Sequence, residues 1–244
     1  MQVVVVADPP ALCRWVADEV LRAVRLRPRL VLGIATGGTP LAAYRAIAAA
    51  RQQGADLGDV RCVALDEYVG MDPSHPASYH AYVEREITAP WGLSRANVVV
   101  PDGCAADPSS SASSLEQAIV RFGGVDLQLL GIGRNGHLAF NEPGSALDSR
   151  TRVVELSEAT RSDNARYLLG EDVPTHSLTQ GLGTILEARR LLAFASGREK
   201  ARAVAEAVRG PVTSDLPASV LQRHADAVLV ADDAAASCLE GALG

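Results

Sequence analysis

The residues best suited to acid–base chemistry lie in one glycine-rich stretch, residues 129–144, which reads LLGIGRNGHLAFNEPG. His137 can transfer a proton near neutral pH. Glu142 can orient that imidazole or balance its charge, and Asn135 can hydrogen-bond either the imidazole or a substrate. The local density of these three side chains favours an active-site loop over a structural histidine in a turn.

Three glycines of this stretch, at positions 131, 133 and 136, have the spacing of the dinucleotide-binding fingerprint. That fingerprint requires a helix directly after the glycines. Here Asn141, Pro143 and Gly144 follow closely, and these residue types favour turns. We therefore interpret the glycines as allowing unusual backbone angles and the close approach of a small substrate.

A pair of carboxylates, Asp66 and Glu67, follows the apolar run 62–65. At the carboxyl end of a buried strand, a carboxylate can be shielded enough to act as a general base. Adjacent side chains on a strand point in opposite directions, so we expect the two residues to have different tasks. The alternative is an acidic pair that only caps the strand end in solvent.

A third candidate is the loop Thr36-Gly37-Gly38-Thr39-Pro40, which lies between an apolar run and a helical pattern. Thr39 is expected to cap the helix, and Pro40 suits its first turn. The free N–H groups and the dipole of a helix start bind anions, so this loop predicts a phosphate site. No Lys-Ser or Lys-Thr follows the glycines, as a nucleoside triphosphate loop would require. Lys200 is the only lysine in the chain and a candidate position for a compact ammonium.

The elements that must position these residues alternate between strands and helices. Short apolar runs that barely alternate with polar residues predict buried strands at Val3–Val6, Leu30–Ile34, Cys62–Leu65, Val98–Val100, Leu127–Ile132, Val153–Leu156, Leu191–Ala195 and Val228–Val230. Amphipathic patterns predict helices at Leu12–Leu26, Leu41–Gln52, Ala112–Phe122 and Glu199–Val208. This order predicts a single α/β domain over residues 1–244, with a doubly wound, mostly parallel sheet. Ligands of such sheets bind beyond the carboxyl ends of the strands.

Two connecting segments have a distinct composition. The segment Pro101–Ser114 is rich in Ser, Ala, Pro and Asp and is expected to be a solvated loop. Residues 159–179 combine a helical pattern with a polar, proline-containing loop and have few core anchors. We expect a mobile helical lid in this second segment.

Composition restricts the classes of partner. The chain has 244 residues, is 48% hydrophobic and carries a formal net charge of -6, which argues against duplex DNA binding. Its four cysteines are widely spaced, as expected for reduced thiols rather than a disulfide framework or a zinc site. The start lacks the basic region of a signal peptide, and no run reaches the roughly 18 apolar residues of a membrane span. We therefore expect a cytoplasmic protein without metal, membrane or nucleic-acid partners.

Three segments carry a family likeness: ATGGTP at 35–40, LDEYVG at 65–70 and GHLAFNEP at 136–143. They resemble the signature segments of glucosamine-6-phosphate deaminases, in that family's order and spacing. Further likeness occurs at residues 180–188, 196–201 and 217–219, so the resemblance covers roughly 30–230. It implies a Rossmann-like fold of the NagB/RpiA type. It also implies conversion of glucosamine 6-phosphate and water to fructose 6-phosphate and ammonia, without a metal or organic cofactor, by a monomer or small homo-oligomer.

The resemblance also implies roles for individual residues. By position, Asp66 is the base for enolisation and His137 is the acid–base group for ring opening, supported by Asn135 and Glu142. Residues implied to bind the substrate are Thr36, Gly37, Gly38, Thr39, Glu67, Arg166 and Lys200. Some relatives have Asp at the position of Asn135. An amide cannot supply that negative charge, so the task of raising the basicity of His137 falls on Glu142.

Two rival functions and one regulatory question remain at this point. A 6-phosphogluconolactonase shares the fold and the phosphate loop, but the run Phe140-Asn141-Glu142-Pro143 favours the deaminase. A non-catalytic sugar-phosphate sensor is expected to carry a helix-turn-helix segment ahead of its sugar domain, whereas this chain starts with a predicted strand. Ala146 and Val154 stand where allosteric relatives have a hydroxyl and a lysine, so we expect a non-allosteric enzyme.

Overall fold

The computed structural model describes residues 1–168 and 171–239, which form an α/β fold. The strands are β1 (Gln2–Val6), β2 (Val31–Ile34), β3 (Arg61–Ala64), β4 (Asp66–Tyr68), β5 (Val98–Val99), β6 (Leu127–Gly131), β7 (Arg152–Glu155), β8 (His176–Thr179), β9 (Leu191–Ala195) and β10 (Ala227–Asp232). Seven of them form one sheet in the order β1-β10-β9-β6-β2-β3-β5, and every pairing in it is parallel. The predicted single α/β domain with a doubly wound, mostly parallel sheet is confirmed.

Helices connect these strands and flank the sheet. They are α1 (Pro9–Leu26), α2 (Leu41–Gln52), α3 (Tyr79–Val83), α4 (Ala89–Trp91), α5 (Pro108–Phe122), α6 (Glu158–Asn164), α7 (Leu182–Leu186), α8 (Ala201–Arg209) and α9 (Asp233–Ala236). A π-helical turn at Glu84–Thr88 joins α3 to α4, and short 3₁₀ turns occur at Arg95–Asn97, Ala165–Tyr167, Arg198–Lys200 and Pro217–Arg223.

Burial explains why these sequences form these elements. Every residue of β9 and β10 is buried, which is why the two strands are apolar almost throughout. Helix α1 begins after Asp8, whose Oδ1 accepts a hydrogen bond from the Ala11 amide at 2.7 Å. Its buried side, with Leu12, Val16 and Val20 on it, faces the core.

A second sheet of three antiparallel strands, in the order β4-β8-β7, lies beyond the carboxyl end of β3. In its register, Asp66 of β4 pairs with Thr179 of β8. The prediction that 153–156 is a strand buried on both faces is wrong, because β7 alternates between half-buried and exposed residues. Alternation is typical of an antiparallel strand with one solvated face.

Two connecting segments differ from their predicted structure. Helix α5 begins at Pro108, after the N-cap Asp107, so the predicted loop Pro101–Ser114 is helical in its second half. Serine-rich composition hid this helix start. The predicted lid, residues 159–179, begins in α6 but ends in β8, whose Ser177, Leu178 and Thr179 are buried. The lid prediction therefore extends too far at its end. No helix among residues 1–168 and 171–239 is long and apolar enough to span a membrane.

Candidate active site

The candidate site lies at the carboxyl ends of β2 and β6, where the strand order of the large sheet reverses. Strand β2 continues through α2 to β3 on one side, whereas β6 continues towards β9 on the other. Because the two connections leave in opposite directions, a crevice forms between the loops that follow these strands. The loop 35–40 follows β2, and the glycine-rich loop 132–144 follows β6.

Three predicted residues of the glycine-rich loop form a chain of hydrogen bonds. Asn135 Nδ2 donates to Glu142 Oε2 at 2.7 Å. Asn135 Oδ1 lies 2.7 Å from His137 Nδ1. An amide oxygen only accepts hydrogen bonds, so Nδ1 carries the hydrogen in this arrangement. In the neutral imidazole, Nε2 is then left with the lone pair that can accept a proton.

The surroundings of His137 favour that neutral form. Burial lowers the pKa of His137, because its charged form is poorly solvated there. The Glu142 carboxylate acts against this and raises the pKa, whereas the Lys200 ammonium lowers it. The result is a lowered pKa, so the imidazole is an acceptor rather than a cation at neutral pH. The effect of Lys200 also means that its ammonium lies within electrostatic range of the imidazole.

Glycine is required where the loop folds around the imidazole. A Cβ at Gly133 would lie 2.2 Å from His137 Cε1, so the ring lies directly against the glycine backbone. Gly136 has a φ of +80°, and a Cβ there would meet Leu216 Cδ1 at 2.3 Å. Ala139 also has a positive φ, 52°, which is unfavourable for a residue with a side chain. Such backbone strain is concentrated at functional sites.

The start of α6 contacts the same chain of hydrogen bonds. Ser157 Oγ donates to Glu142 Oε1 at 3.1 Å, and Thr160 Oγ1 donates to the same oxygen. Arg134 Nε donates to Asp163 Oδ2 at 3.0 Å, which attaches the glycine-rich loop to α6 a second time. The sequence analysis missed Ser157 and Thr160. Their spacing is typical of a helix N-terminus, and Ser157 does cap α6. This spacing does not indicate that either hydroxyl contacts a distant carboxylate.

Asp66 is a buried carboxylate with an unsatisfied oxygen. The residue is 5% exposed, and its Oδ1 has no hydrogen-bond partner among the described residues. Burial, together with the neighbouring charge of Glu67, raises the pKa of Asp66 to about 8. A buried polar atom without a partner is rare in a native protein and indicates a ligand or a catalytic task.

The small sheet holds Asp66 beside the glycine-rich loop. Asp66 pairs with Thr179, and Thr179 Oγ1 accepts a hydrogen bond from the Phe140 amide at 3.2 Å. The ring of Tyr68 packs against that of Phe140, with centroids 5.7 Å apart. The two predicted catalytic regions, far apart in sequence, are therefore joined through β8.

Glu67, which is predicted to bind the substrate, has its carboxylate bonded to backbone amides of the protein. Its side chain is fully buried. Oε1 accepts from the amides of Tyr68 and Tyr79, and Oε2 accepts from the amide of His80, all within 3.1 Å. Oε2 is also 3.2 Å from His80 Nδ1. Both carboxylate oxygens are thus occupied by the protein, as the opposite orientations of Asp66 and Glu67 on one strand predict.

The predicted phosphate loop is held in place by tyrosines. Tyr82 Oη donates to the Gly37 carbonyl at 2.9 Å, and Tyr44 Oη donates to the Ala35 carbonyl at 2.6 Å. Gly37 has a φ of +99°, which glycine adopts without strain. The predicted capping role of Thr39 is not found: the residue before α2 is Pro40, and no side chain caps the helix. The first amides of α2 are left without a side-chain cap.

The remaining predicted ligands lie on two other segments. Lys200 ends the 3₁₀ turn Arg198–Lys200, after β9. Gly38 and Thr39 line a cavity of about 670 Å³ together with Tyr167 and Ser196. Ser196 lies just before this 3₁₀ turn, so the end of β9 faces the phosphate loop. The side chain of Arg166 lies outside the part of the chain that the structure describes. Within the described residues, no group of three or more His, Cys, Asp or Glu side chains is placed to hold a metal ion.

Comparisons with known proteins show the family. The model of the family of glucosamine-6-phosphate isomerases and 6-phosphogluconolactonases matches residues 9–230. Glucosamine-6-phosphate deaminase of Streptomyces coelicolor is 48% identical over 243 residues, covering 98% of this chain and 93% of the relative. The deaminase of Cutibacterium acnes is 48% identical over 241 residues, with 98% of this chain and 92% of the relative covered.

Solved structures are similar over the same extent. A monomeric glucosamine-6-phosphate deaminase superimposes with a TM-score of 0.95 at 38% identity, covering 98% of this chain and 100% of the other. A 6-phosphogluconolactonase from Trypanosoma cruzi has a TM-score of 0.80 at 19% identity, covering 98% and 97% of the two chains. The second likeness concerns the fold alone.

Proposed function

The chain belongs to the family of glucosamine-6-phosphate isomerases and 6-phosphogluconolactonases, and we propose that it is a glucosamine-6-phosphate deaminase. It converts glucosamine 6-phosphate and water to fructose 6-phosphate and ammonia. The observation that carries the proposal is the pairing of two proton-transfer groups of different kind. One is the neutral His137 held by Asn135 and Glu142, and the other is the buried, unsatisfied carboxylate of Asp66.

The phosphate group anchors the substrate in the crevice. The loop Thr36–Thr39 offers backbone amides at the start of α2, where the helix dipole favours an anion. Lys200 contributes the positive charge, and Arg166 is a further ligand by its position in the sequence. This anchor places the sugar between the glycine-rich loop and β4.

His137 opens the sugar ring. Its Nε2 lone pair takes the proton from the O1 hydroxyl and returns a proton to the ring oxygen, so that the C1–O5 bond breaks and an aldehyde forms at C1. The imidazolium that forms in between is stabilised by Glu142 through Asn135, since the carboxylate raises the pKa of His137. The hydrogen bond to Nδ1 keeps the ring in the orientation that this transfer requires.

Asp66 then moves a proton from C2 to C1. As a carboxylate it removes the C2 proton, and as an acid it delivers a proton to C1. The C1 aldehyde oxygen gains a proton and the ammonium nitrogen loses one, so that C1 becomes a CH2OH group and a protonated imine forms at C2. Its raised pKa, about 8, suits a group that must both accept and donate a proton near neutral pH. The cationic amino group of the bound substrate stabilises the carboxylate form. Water adds to the C2 imine, ammonia leaves, and fructose 6-phosphate remains.

Ammonia release from glucosamine 6-phosphate by the purified protein tests the proposal, with 6-phosphogluconolactone hydrolysis measured alongside. We expect ammonia and fructose 6-phosphate in equal amounts. Lactone hydrolysis without ammonia would instead identify a lactonase, and binding of the sugar phosphate without product would identify a sensor. The variant Asp66→Asn should still bind the substrate but lose exchange of its C2 proton with solvent. Unchanged exchange would remove Asp66 from its proposed role.

We also propose the cytoplasm as the location of the enzyme and a monomer or small homo-oligomer as its assembly. All four cysteines are free thiols, which supports a reducing compartment. The high structural similarity to a monomeric deaminase supports the smallest assembly.

A further inference from the structure

Asp232 is a buried carboxylate that the proposed chemistry does not use. It ends β10 at 1% exposure and accepts hydrogen bonds from three residues. Ser196 Oγ donates to Oδ2 at 2.6 Å. The Gly197 amide lies 3.1 Å from both carboxylate oxygens. The Ala235 amide donates to Oδ1 at 2.7 Å, so Asp232 also caps α9.

These contacts attach the segment that carries Lys200 to a different strand. Gly197 has a φ of 95° and a ψ of 150°, a conformation that only glycine adopts readily. Its amide points to Asp232, and its carbonyl accepts a hydrogen bond from the Lys200 amide at 3.0 Å. Gly197 therefore hydrogen-bonds both the carboxylate of Asp232 and the backbone amide of Lys200. Hydrogen bonds to an ionised acceptor are stronger than neutral ones, so this attachment restrains the turn.

Ser196, just before the restrained turn, faces the phosphate loop. Ser196 lines the cavity of about 670 Å³ that Gly38 and Thr39 also line. Two loops from separate strands must keep a fixed distance to bind one phosphate group. A lysine side chain is long and flexible, so its contribution to binding depends on where its backbone is held.

We propose that Asp232 is a positioning residue for the substrate's phosphate group, acting through Ser196 and Gly197 on Lys200. This inference rests on the proposed function. Loss of the attachment weakens binding that is common to the ground state and the transition state. The Michaelis constant should therefore rise while kcat is retained.

Two variants and a matched control test the inference. Asp232→Asn removes the negative charge and keeps the shape of the side chain. Ser196→Ala removes one hydrogen bond and leaves the carboxylate in place. The control is Asp126→Asn at the opposite end of the sheet. Asp126 is also a largely buried carboxylate that accepts from a backbone amide, that of Val31 at 2.9 Å, and from Arg27 and Arg189. Lys200→Ala removes the ammonium group itself and therefore gives the largest increase in KM expected from losing its contribution.

Two readouts are measured for each protein. The first is the KM and kcat for glucosamine 6-phosphate. The second is the rise in melting temperature on adding inorganic phosphate, which requires no turnover. For Asp232→Asn and Ser196→Ala we expect KM to rise about tenfold, as loss of one charge-assisted hydrogen bond implies. We also expect a smaller phosphate-dependent shift, whereas Asp126→Asn should keep the wild-type KM and shift.

Variants with a lower melting temperature but unchanged KM and phosphate shift would overturn the inference and leave Asp232 a purely structural residue. A fall in kcat at constant KM would also overturn it. If Asp232→Asn does not fold, Ser196→Ala decides alone. A wild-type protein that releases no ammonia but is stabilised by phosphate would refute the proposed function only, and the phosphate shift of the variants would still decide on Asp232.

Discussion

Asp66 is buried beside a second carboxylate, Glu67, and this position opposes the charge that the proposed reaction needs. Its pKa is raised from 3.8 to about 8. Between these two values, the folded state holds a proton that the unfolded state has released. The contribution of Asp66 to stability is therefore full at pH values below about 4 and is lost as the pH rises towards 8.

Asp66→Asn is expected to remove this pH dependence, because an amide has no charge to desolvate. Relative to the wild type, the variant's melting temperature should increase progressively from pH 4 to pH 8. A pKa raised from 3.8 to about 8 corresponds to roughly 5 kcal/mol at pH 8. At pH 8 we therefore expect a gain of about 10 °C or more, since each kcal/mol shifts the melting temperature of a domain of this size by about 2–4 °C. Thermal unfolding across this pH range measures it. A constant difference between the two proteins would show that Asp66 titrates normally.

Glu142 does not contact His137 directly, because the side-chain amide of Asn135 lies between them and hydrogen-bonds both. The charge of Glu142 nonetheless raises the pKa of His137 against the effect of burial. Coulomb interactions act over several ångströms in a partly buried site, so direct contact is not required.

Glu142→Gln should lower the pKa of His137, because it removes that charge and preserves the shape of the side chain. Asp163→Asn is the matched control: Asp163 also raises the pKa of His137, but its effect ranks below that of Glu142. We expect a smaller decrease in the control. Titration of the imidazole by nuclear magnetic resonance measures both, with His137→Gln to assign the signal. An unchanged or higher pKa in Glu142→Gln would contradict the proposed electrostatic support.

At the scale of elements, α6 connects the segment predicted as a lid to the proton-transfer residues. Its N-cap Ser157 and its first-turn residue Thr160 both donate to Glu142. Movement of α6 would thus withdraw two donors from the carboxylate that supports His137. We therefore expect any movement of α6 to change the basicity of the imidazole.

Thr160→Val should reduce kcat about tenfold, because a hydrogen bond to a charged group contributes roughly 1.5–3 kcal/mol. Thr160→Ser should restore the rate, since it returns the hydroxyl. Steady-state kinetics measure both variants, and melting temperatures check that valine leaves the fold intact. Equal rates for valine and serine would mean that the contact with Glu142 has no part in catalysis.

At the scale of the whole molecule, we expect one chain to form a complete site. The candidate residues lie on β4 and in the loops after β2, β6 and β9, and Arg166 follows α6. At the positions that allosteric relatives use, Ala146 lacks a hydroxyl and Val154 lacks a charge. Hyperbolic kinetics should follow, and N-acetylglucosamine 6-phosphate should leave the rate curve unchanged. A conversion from a sigmoidal to a hyperbolic curve on its addition would contradict this.

The sequence by itself determined the fold class and indicated candidate residues for the site, because both depend on local patterns. Apolar runs separated by amphipathic patterns require a parallel sheet with flanking helices, and the loops after its strands must carry the ligands. The glycines beside His137 and the carboxylate pair at 66–67 are likewise local patterns, so the sequence was sufficient to identify them as candidates. The β7 strand and the start of α5 were misjudged because their composition is compatible with more than one structure.

Only the tertiary structure decided what each carboxylate faces. Asp66 and Glu67 are neighbours of the same type, yet Glu67 is satisfied by the amides of α3 whereas Asp66 keeps an oxygen without a partner among the described residues. The link from Thr160 to Glu142 and that from Asp232 to the Lys200 turn join residues 18 and 35 or 36 positions apart. Local patterns record which face of an element is buried. They do not record which distant side chain lies against that face, because the packing of the whole chain sets it.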